Sequence, residues 1–404
     1  MNNTVLIFTD NYPYGKSETF LETELKYIYQ SFDKVSVLPL ETEREKNIRD
    51  ISEKTEIIKP VFYDVKKKTE LLIKGLFNSS IICRLLKEGL SSNVWKSWTK
   101  FRIWFTHFLM IRSLLSEIKE RDMISFFNKF DILYFYWGLR WSQILPFLPP
   151  DLKPKTVVRF HGSDLYEHTN GNYIPFRIQQ LERTDLAVTI SLTGMKYLLD
   201  HYPFMEGKTI ISRIGTNDSG VNPFITSDII RIVSCSNLVA VKRVHLIANT
   251  LALIKKPVMW IHFGDGPDRK KVEAIISRLP SNINIRLAGS VNHEEIMSYY
   301  RTESVDIFLN TSSSEGIPVS VMEAMSFGIP VIATDVGGTP EIVTHETGVL
   351  LKADFTTHEL ASEIEKMKER PDYLNLRHRA REAWAEKLDA EKVFPGFISS
   401  LTNI

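Results

Sequence analysis

The stretch that decides the fold is SSSEGIPVSVMEAMSFGIPVIATDVGGTPEIV, residues 312–343. It follows a short apolar run at residues 307–309 and contains a second one, β-branched, at 331–334. Between them, the polar residues before Pro318 predict a loop. Pro318 suits the first turn of a helix, where its missing N–H costs nothing. Gly328, followed by Pro330, ends that helix, so it spans residues 319–327. Strand, loop, helix and strand make the repeating unit of a parallel sheet. Two glutamates, Glu315 and Glu323, stand eight positions apart in this unit, where core helices seldom carry acids.

Outward from it the same alternation continues. Short apolar runs at 230–234, 258–263, 283–288 and 349–351 predict strands, and helical spacing fills 244–254, 269–279 and 294–300. The first half is less regular, with strand candidates at 5–8, 35–38, 133–136, 157–160, 187–190 and 209–211 and a helical insertion at about 65–129. GTNDSGVNPFITSD, residues 215–228, is rich in turn formers and predicts a linker over 216–228. The expectation is an α/β protein of two Rossmann-like domains, 1–215 and 229–385, whose parallel sheets face a central cleft. Ligands of such sheets bind outside the carboxyl ends of the strands.

Bulk properties agree. At 404 residues the chain is long for one core. A net charge of +1 gives no reason to expect nucleic acid. The two cysteines, Cys83 and Cys235, form no CxxC pair, so neither a disulfide framework nor a zinc site is expected, and a reducing cytosol fits. MNNTVLIFTDNYPYG reads as a first strand rather than a signal peptide. No uncharged apolar stretch reaches the length of a membrane span, so a cytoplasmic location is expected. Charge is uneven, however: residues 61–130 hold 13 Lys/Arg against 6 Asp/Glu. Within them Ile73, Phe77, Ile81 and Leu85 recur at helical spacing beside Lys66, Lys67, Lys68 and Lys74. Such a helix either packs as a solvated element of its own domain or lies on an anionic membrane surface.

The loop before the 319–327 helix leaves main-chain amides near Gly316, Ile317 and Val319 free to bind an anion, favoured by the helix dipole. A carboxylate such as Glu323 can accept two hydrogen bonds from vicinal hydroxyls. Phosphate on the amides, ribose on one glutamate and sugar by the other describe a nucleotide-sugar site. The bland alternative is a pair of surface glutamates on an exposed turn.

The whole stretch resembles the signature of the family 4 glycosyltransferases: two glutamates separated by seven residues within EG-x-P and EAM-x-x-G-x-PV-I-A-T-x-V-G-G. The resemblance implies a GT-B fold and retaining transfer of a hexose-type sugar from a nucleotide diphosphate sugar, UDP- or GDP-linked, to a glycan or lipid-linked acceptor. Cell-surface polysaccharide assembly (capsule, O-antigen or exopolysaccharide) at the inner face of the membrane is the setting it implies. It gives Glu323 the ribose and Glu315 the donor sugar. SCSNLVAVKRVHLI (234–247) resembles the segment whose lysine, here Lys242, binds the diphosphate. The family's arginine five positions earlier is Asn237 here, and Arg243 is the candidate to replace its charge. Gly264 in HFGDGPDRKKVE and Ala288 and Gly289 in LAGSV match a turn and a strand end on the donor side.

In the first half, RFHGSD places His161 and Asp164 past a strand end, and the resemblance gives the histidine a donor contact. From residues alone, a histidine there is more often structural. NYPYGKSETFLETEL resembles a loop approaching diphosphate and acceptor, with Gly15, Lys16 and Glu18 on the acceptor side; Glu18 and Glu22 equally well start a helix. DILYFYWGLRWS either lines the acceptor side or is core. Residues 386–404 resemble a terminal helix returning to the N-terminal domain. No Asp-x-Asp occurs, so metal-independent transfer is expected, with no cofactor beyond the nucleotide-sugar co-substrate. Lys242 and the amides would then neutralise the leaving group. The acceptor hydroxyl attacks on the same face, the leaving phosphate taking its proton; a covalent intermediate on Glu315 is the alternative. Two other classes stay open: a catalytically silent GT-B partner, which loss of Glu315, Glu323 or Lys242 would mark, and a sugar-nucleotide epimerase, which needs no acceptor. An NAD enzyme is disfavoured because the GxGxxG fingerprint is missing.

Overall fold

Apolar runs without alternation form strands buried on both faces, which is the habit of parallel sheets. The structure, a computed structural model, describes residues 3–15, 18–42, 48–49, 51–62 and 82–404, and it contains two such sheets. Lys16 and the basic stretch around Lys66–Lys74 lie outside the described residues.

The chain divides into two compact units, Met1–Ser212 with Phe394–Ile404, and Arg213–Val393. The first holds β1 (Thr4–Thr9), β2 (Lys34–Pro39), β3 (Thr55–Ile57), β4 (Ile132–Phe135), β5 (Lys155–Phe160), β6 (Leu186–Thr189) and β7 (Thr209–Ile211). Their order is β3-β2-β1-β4-β5-β6-β7, all parallel. The second holds β8 (Ile230–Cys235), β9 (Val258–Phe263), β10 (Ile283–Gly289), β11 (Ile307–Asn310), β12 (Val331–Thr334) and β13 (Gly348–Leu351). These run β10-β9-β8-β11-β12-β13, again all parallel. Each predicted strand has its counterpart. The reading omitted β3, whose three residues pair with β2 alone and give no periodic signal.

The predicted linker region, residues 216–228, has no helix or strand, yet it is stitched to the second unit. Buried Asn222 donates to the carbonyls of Tyr300 (2.6 Å) and Glu303 (2.8 Å), and Arg377 donates to its carbonyl oxygen (2.9 Å). At the other end, Tyr373–Lys387 and Ala390–Thr402 are separate helices, and residues from Phe394 onward belong to the first unit.

The core of the first unit encloses an ion pair. Arg159 and Glu24 are both essentially unexposed, with Arg159 Nη2 3.0 Å from Glu24 Oε2. Tyr134 joins them, donating to Glu24 (2.7 Å) and accepting from Arg159 Nε (2.6 Å), while Arg159 Nη1 donates to the carbonyl of Ser212 (3.0 Å). Phe397, from the C-terminal helix, lies with its ring 4.6 Å from the guanidinium. A charge so placed is tolerated only with its partner present. Arg159→Ala, which strands Glu24, is expected to cost about 3–5 kcal/mol, while the double variant Glu24→Gln/Arg159→Met recovers most of it. Urea unfolding of the two variants checks this.

Candidate active site

In the second unit the loop after β11 sets the geometry. Asn310, the last residue of β11, accepts from the amide of Ser312 (3.0 Å) and donates to Glu315 Oε1 (3.1 Å). Gly337, at φ 56°, lies against this loop: a Cβ there would sit 1.8 Å from the Glu315 carbonyl oxygen. The neighbouring Gly338 amide donates to the Gly316 carbonyl (2.7 Å). The first of the signature's paired glycines, Gly337, is thus demanded by close backbone approach. Gly328, at φ 70°, ends the Val319–Ser326 helix as expected.

Glu315, with 8% of its side chain exposed, receives Lys242 Nζ at 2.7 Å. Lys242 ends a single turn, Ala240–Lys242, zipped to the same loop through Ser313 N to Val241 O (2.8 Å) and Thr311 Oγ1 to Lys242 O (3.1 Å). Asn237 is exposed. Arg243 does not replace the charge missing there. Its backbone sits at φ 48°, and its guanidinium donates to the carbonyls of Thr311 (2.8 Å), Ala353 (2.7 Å) and Ser312 (3.2 Å). It ties strand ends together with its donors already committed.

Glu323, on the Val319–Ser326 helix, pairs with His293 Nε2 at 2.8 Å. It shares a neighbourhood with Lys242, since both act electrostatically on Cys235 at the end of β8; burial first, then Glu323, pushes that thiol up to about 12 against the pull of Lys242. The main-chain amides of Gly316, Ile317 and Val319 have no acceptor among the described residues. Gly264 and Gly289 keep positive φ and pair through Gly264 N to Gly289 O (2.8 Å). A Cβ on Gly264 would meet the Ser236 carbonyl oxygen at 1.9 Å, so this turn must pass close under the loop bearing Asn237. Ala288 and Gly289 lie half-exposed at the end of β10.

In the first unit, Glu18 is no free acceptor ligand. Its carboxylate accepts from the amides of Asp10 (3.0 Å), Asn11 (2.8 Å) and Tyr12 (2.7 Å) and from the Trp137 indole (2.6 Å). It clamps the loop after β1, which is why a buried acid with φ 58° is stable there. Gly15, at φ 67°, accepts from Arg49 Nε (2.7 Å), and Arg49 also pairs with Glu22 (2.8 Å). His161 is buried just past β5, its ring 4.3 Å from that of Trp137. Asp164 folds back onto the His161 amide (2.5 Å) and receives the Gly138 amide (2.7 Å), so it is a capping group, not an open one. Both ring nitrogens of His161 are buried without a hydrogen-bond partner among the described residues, Nδ1 lying 3.5 Å from Asp164 Oδ2.

Beside this cluster a cavity of about 550 Å³ is lined by Asp10, Glu41, His107, Trp137 and Arg140, with Leu40, Phe62 and Met110 as apolar walls. Arg140 bridges Glu41 (2.9 Å) and Asp10 (3.4 Å). Asp10 was not among the sequence candidates, whereas Trp137 falls in DILYFYWGLRWS, which read as acceptor side or core. The signal for Asp10 was an acid at the C-terminal end of the first strand, where ligands of such sheets bind.

Residues 223–387 match the family described as Glycosyl transferases group 1. That match covers under half of the chain. N-acetyl-alpha-D-glucosaminyl L-malate synthase of Bacillus anthracis is 26% identical over 304 residues, 70% of this chain and 76% of that protein. The O-antigen biosynthesis glycosyltransferase WbnH of Escherichia coli is 32% identical over 139 residues, 34% of this chain and 37% of that protein. The chain spans about a third or less of several other curated relatives. Among solved structures, Anabaena Alr3699/HepE in complex with UDP and glucose has a TM-score of 0.67 at 15% identity, covering 99% of this chain and 100% of that one. Sucrose-phosphate synthase of Thermosynechococcus elongatus has a TM-score of 0.71 at 14% identity, covering 100% and 99%. The fold is GT-B, two Rossmann-like units with parallel sheets.

Asp10 provides a pH signature for the first unit. Burial raises its carboxyl to about 7; Arg140 opposes this, and Glu18, Glu41 and Asp164 add to it. Between its ordinary 3.8 and about 7 the folded chain therefore holds a proton that the unfolded chain has lost, so stability falls as pH rises through that window. Asp10→Asn keeps the neutral shape. Its stability advantage over the native chain is expected to grow from nothing near pH 4 to on the order of 1–3 kcal/mol at pH 7.5. Thermal melts across that range measure it, and a pH-independent difference would mean that Asp10 is ionised in the folded protein.

Proposed function

We propose that the protein is a retaining glycosyltransferase of the family 4 type. It would move a hexose-type sugar from a UDP- or GDP-linked donor to a hydroxyl of a glycan or lipid-linked acceptor in cell-surface polysaccharide assembly. The reading rests on one observation above the others: Lys242, Glu315 and the unpaired amides of 316, 317 and 319 surround one loop at the carboxyl end of a parallel sheet. A leaving diphosphate needs positive charge and aimed N–H dipoles, and this loop offers both. Glu323, on the adjoining helix, supplies the paired acceptors a ribose diol requires. The complexes of Anabaena Alr3699/HepE with UDP-glucose and with UDP and glucose, and the polysaccharide role in the name of WbnH, support the donor class and the setting.

In the proposed reaction the bond from the anomeric carbon to the diphosphate oxygen breaks as the acceptor oxygen approaches on the same face. The acceptor's proton passes to the departing phosphate. Lys242 must give up part of its bond to Glu315 to reach the diphosphate, and Asn310 then holds the carboxylate in place. His161 keeps the donor contact that the family resemblance gives it, and neither step requires a metal.

Screening nucleotide sugars for thermal stabilisation tests the donor class, since ligand binding raises stability by mass action. A UDP- or GDP-sugar is expected to raise Tm, and Glu323→Ala to weaken its binding by about 1.5–3 kcal/mol through lost charge-assisted hydrogen bonds. Unchanged nucleotide affinity in that variant would remove the ribose role. Lys242→Ala is expected to lower turnover at saturating donor by roughly 100- to 1000-fold, with Tm changed far less and transfer by the native chain surviving EDTA. Native turnover in Lys242→Ala, or loss with EDTA that Mn or Mg restores, would overturn this account of the leaving group. Free altered sugar from donor alone would favour an epimerase.

A further inference from the structure

The face of the first unit formed by residues 84–105 has an unusual surface. Trp98 is 76% exposed, Leu90 65% and Trp95 53%. Along the Trp98–Glu120 helix, Trp98, Phe101 and Phe105 follow one another at i, i+3 and i+7, with rings stacked at 5.7 and 6.0 Å. Trp95 adds its ring to Phe101 at 5.4 Å. These rings are not core that has come loose. The adjoining face of the same helix buries Trp104, Phe108 and Ile111 against Val94, Tyr173 and Phe176, and Phe101 and Phe105 lean on Trp104 and Phe108 (6.0 and 6.2 Å). Gly89 of the Ile82–Ser91 helix packs so tightly there that a Cβ would touch Trp104 at 3.1 Å. The aromatic ladder is therefore held outward by a rigid support.

Its charge is one-sided. Residues 84–105 contain Arg84, Lys87, Lys96, Lys100 and Arg102 against the single acid Glu88. Glu88 is buried and accepts from Ser92 Oγ (2.9 Å) and Tyr173 OH (3.1 Å). What faces solvent is apolar rings ringed by cations.

We propose that this face docks on an anionic lipid surface. Tryptophan favours the membrane–water interface, where the ring is buried and its N–H stays wet, and basic side chains add attraction within a Debye length of anionic headgroups. A second copy of the chain would set five cations against five. Among the described residues no helix is long and apolar enough to cross a bilayer, so the contact is one of lying on the surface. The reason for docking rests on the glycosyltransferase reading, in which the acceptor can be lipid-linked; the surface chemistry stands apart from it.

Co-sedimentation of the full chain with vesicles tests it, using phosphatidylcholine alone and phosphatidylcholine mixed equally with phosphatidylglycerol, at low and high salt. Binding to the anionic vesicles is expected, weakened several-fold by salt. Trp98→Ala/Phe105→Ala and Lys96→Glu/Arg102→Glu should each lower partitioning about ten-fold or more, while leaving Tm and the nucleotide-sugar stabilisation unchanged. No binding at low salt, or binding that survives both double variants, overturns the proposal. So does concentration-dependent self-association, or RNA binding, that the aromatic variant abolishes while vesicle binding persists. Loss of nucleotide stabilisation in the native chain would instead strike the donor-site reading and leave this one standing.

Discussion

A carboxylate kept from water has to be neutralised where it stands, and in the second unit the strand ends are arranged around that need at Glu315. Lys242 supplies the charge and Asn310 the neutral hydrogen bond. Gly337 lets a neighbouring loop press against the Glu315 backbone. Arg243 binds the same strand ends from below through main-chain carbonyls. The empty site is thus a closed electrostatic circuit. In the proposed reaction an incoming diphosphate would compete with Glu315 for a lysine already in position, leaving little reorganisation for the chemical step.

The first unit solves a related problem differently. Glu18 neutralises itself on three consecutive backbone amides and an indole, which turns a flexible loop into a fixed wall and sets Trp137 beside His161. The acids at this wall differ in their partners. Glu18 is saturated with donors, whereas burial and its acidic neighbours push the Asp10 carboxyl up against the pull of Arg140.

The parallel sheets and the signature loop were legible because their cause is local. Buried strands read as apolar runs, the helix stop reads as Gly328, and the polar residues before Pro318 read as the loop that carries Glu315. What was not legible depends on partners far along the chain. Arg243 looked like a spare cation, but its direction is set by Ala353, 110 residues away. Glu18 and Asp164 looked like open ligands, yet their acceptors are filled by the backbone and by Trp137 and Gly138. The residues at 216–228 had linker composition, and only the fold shows Asn222 satisfying the carbonyls of Tyr300 and Glu303 at the end of the His293–Thr302 helix.

One earlier feature bears on how the molecule is made. Phe397 covers the guanidinium of Arg159, and Phe394 and Leu401 are buried in the same unit, although 181 residues of the other unit lie between Ser212 and Phe394. At ribosomal speeds of about 5–20 residues per second, those intervening residues take roughly 10–40 s to appear. Throughout that interval the first unit waits with an apolar face uncovered beside its ion pair. The second unit, contiguous in the chain, has all its own residues in hand before residues 394–404 emerge. The unit begun first is therefore the one completed last, and the nascent chain is most exposed to misassociation on the face that its own tail will close.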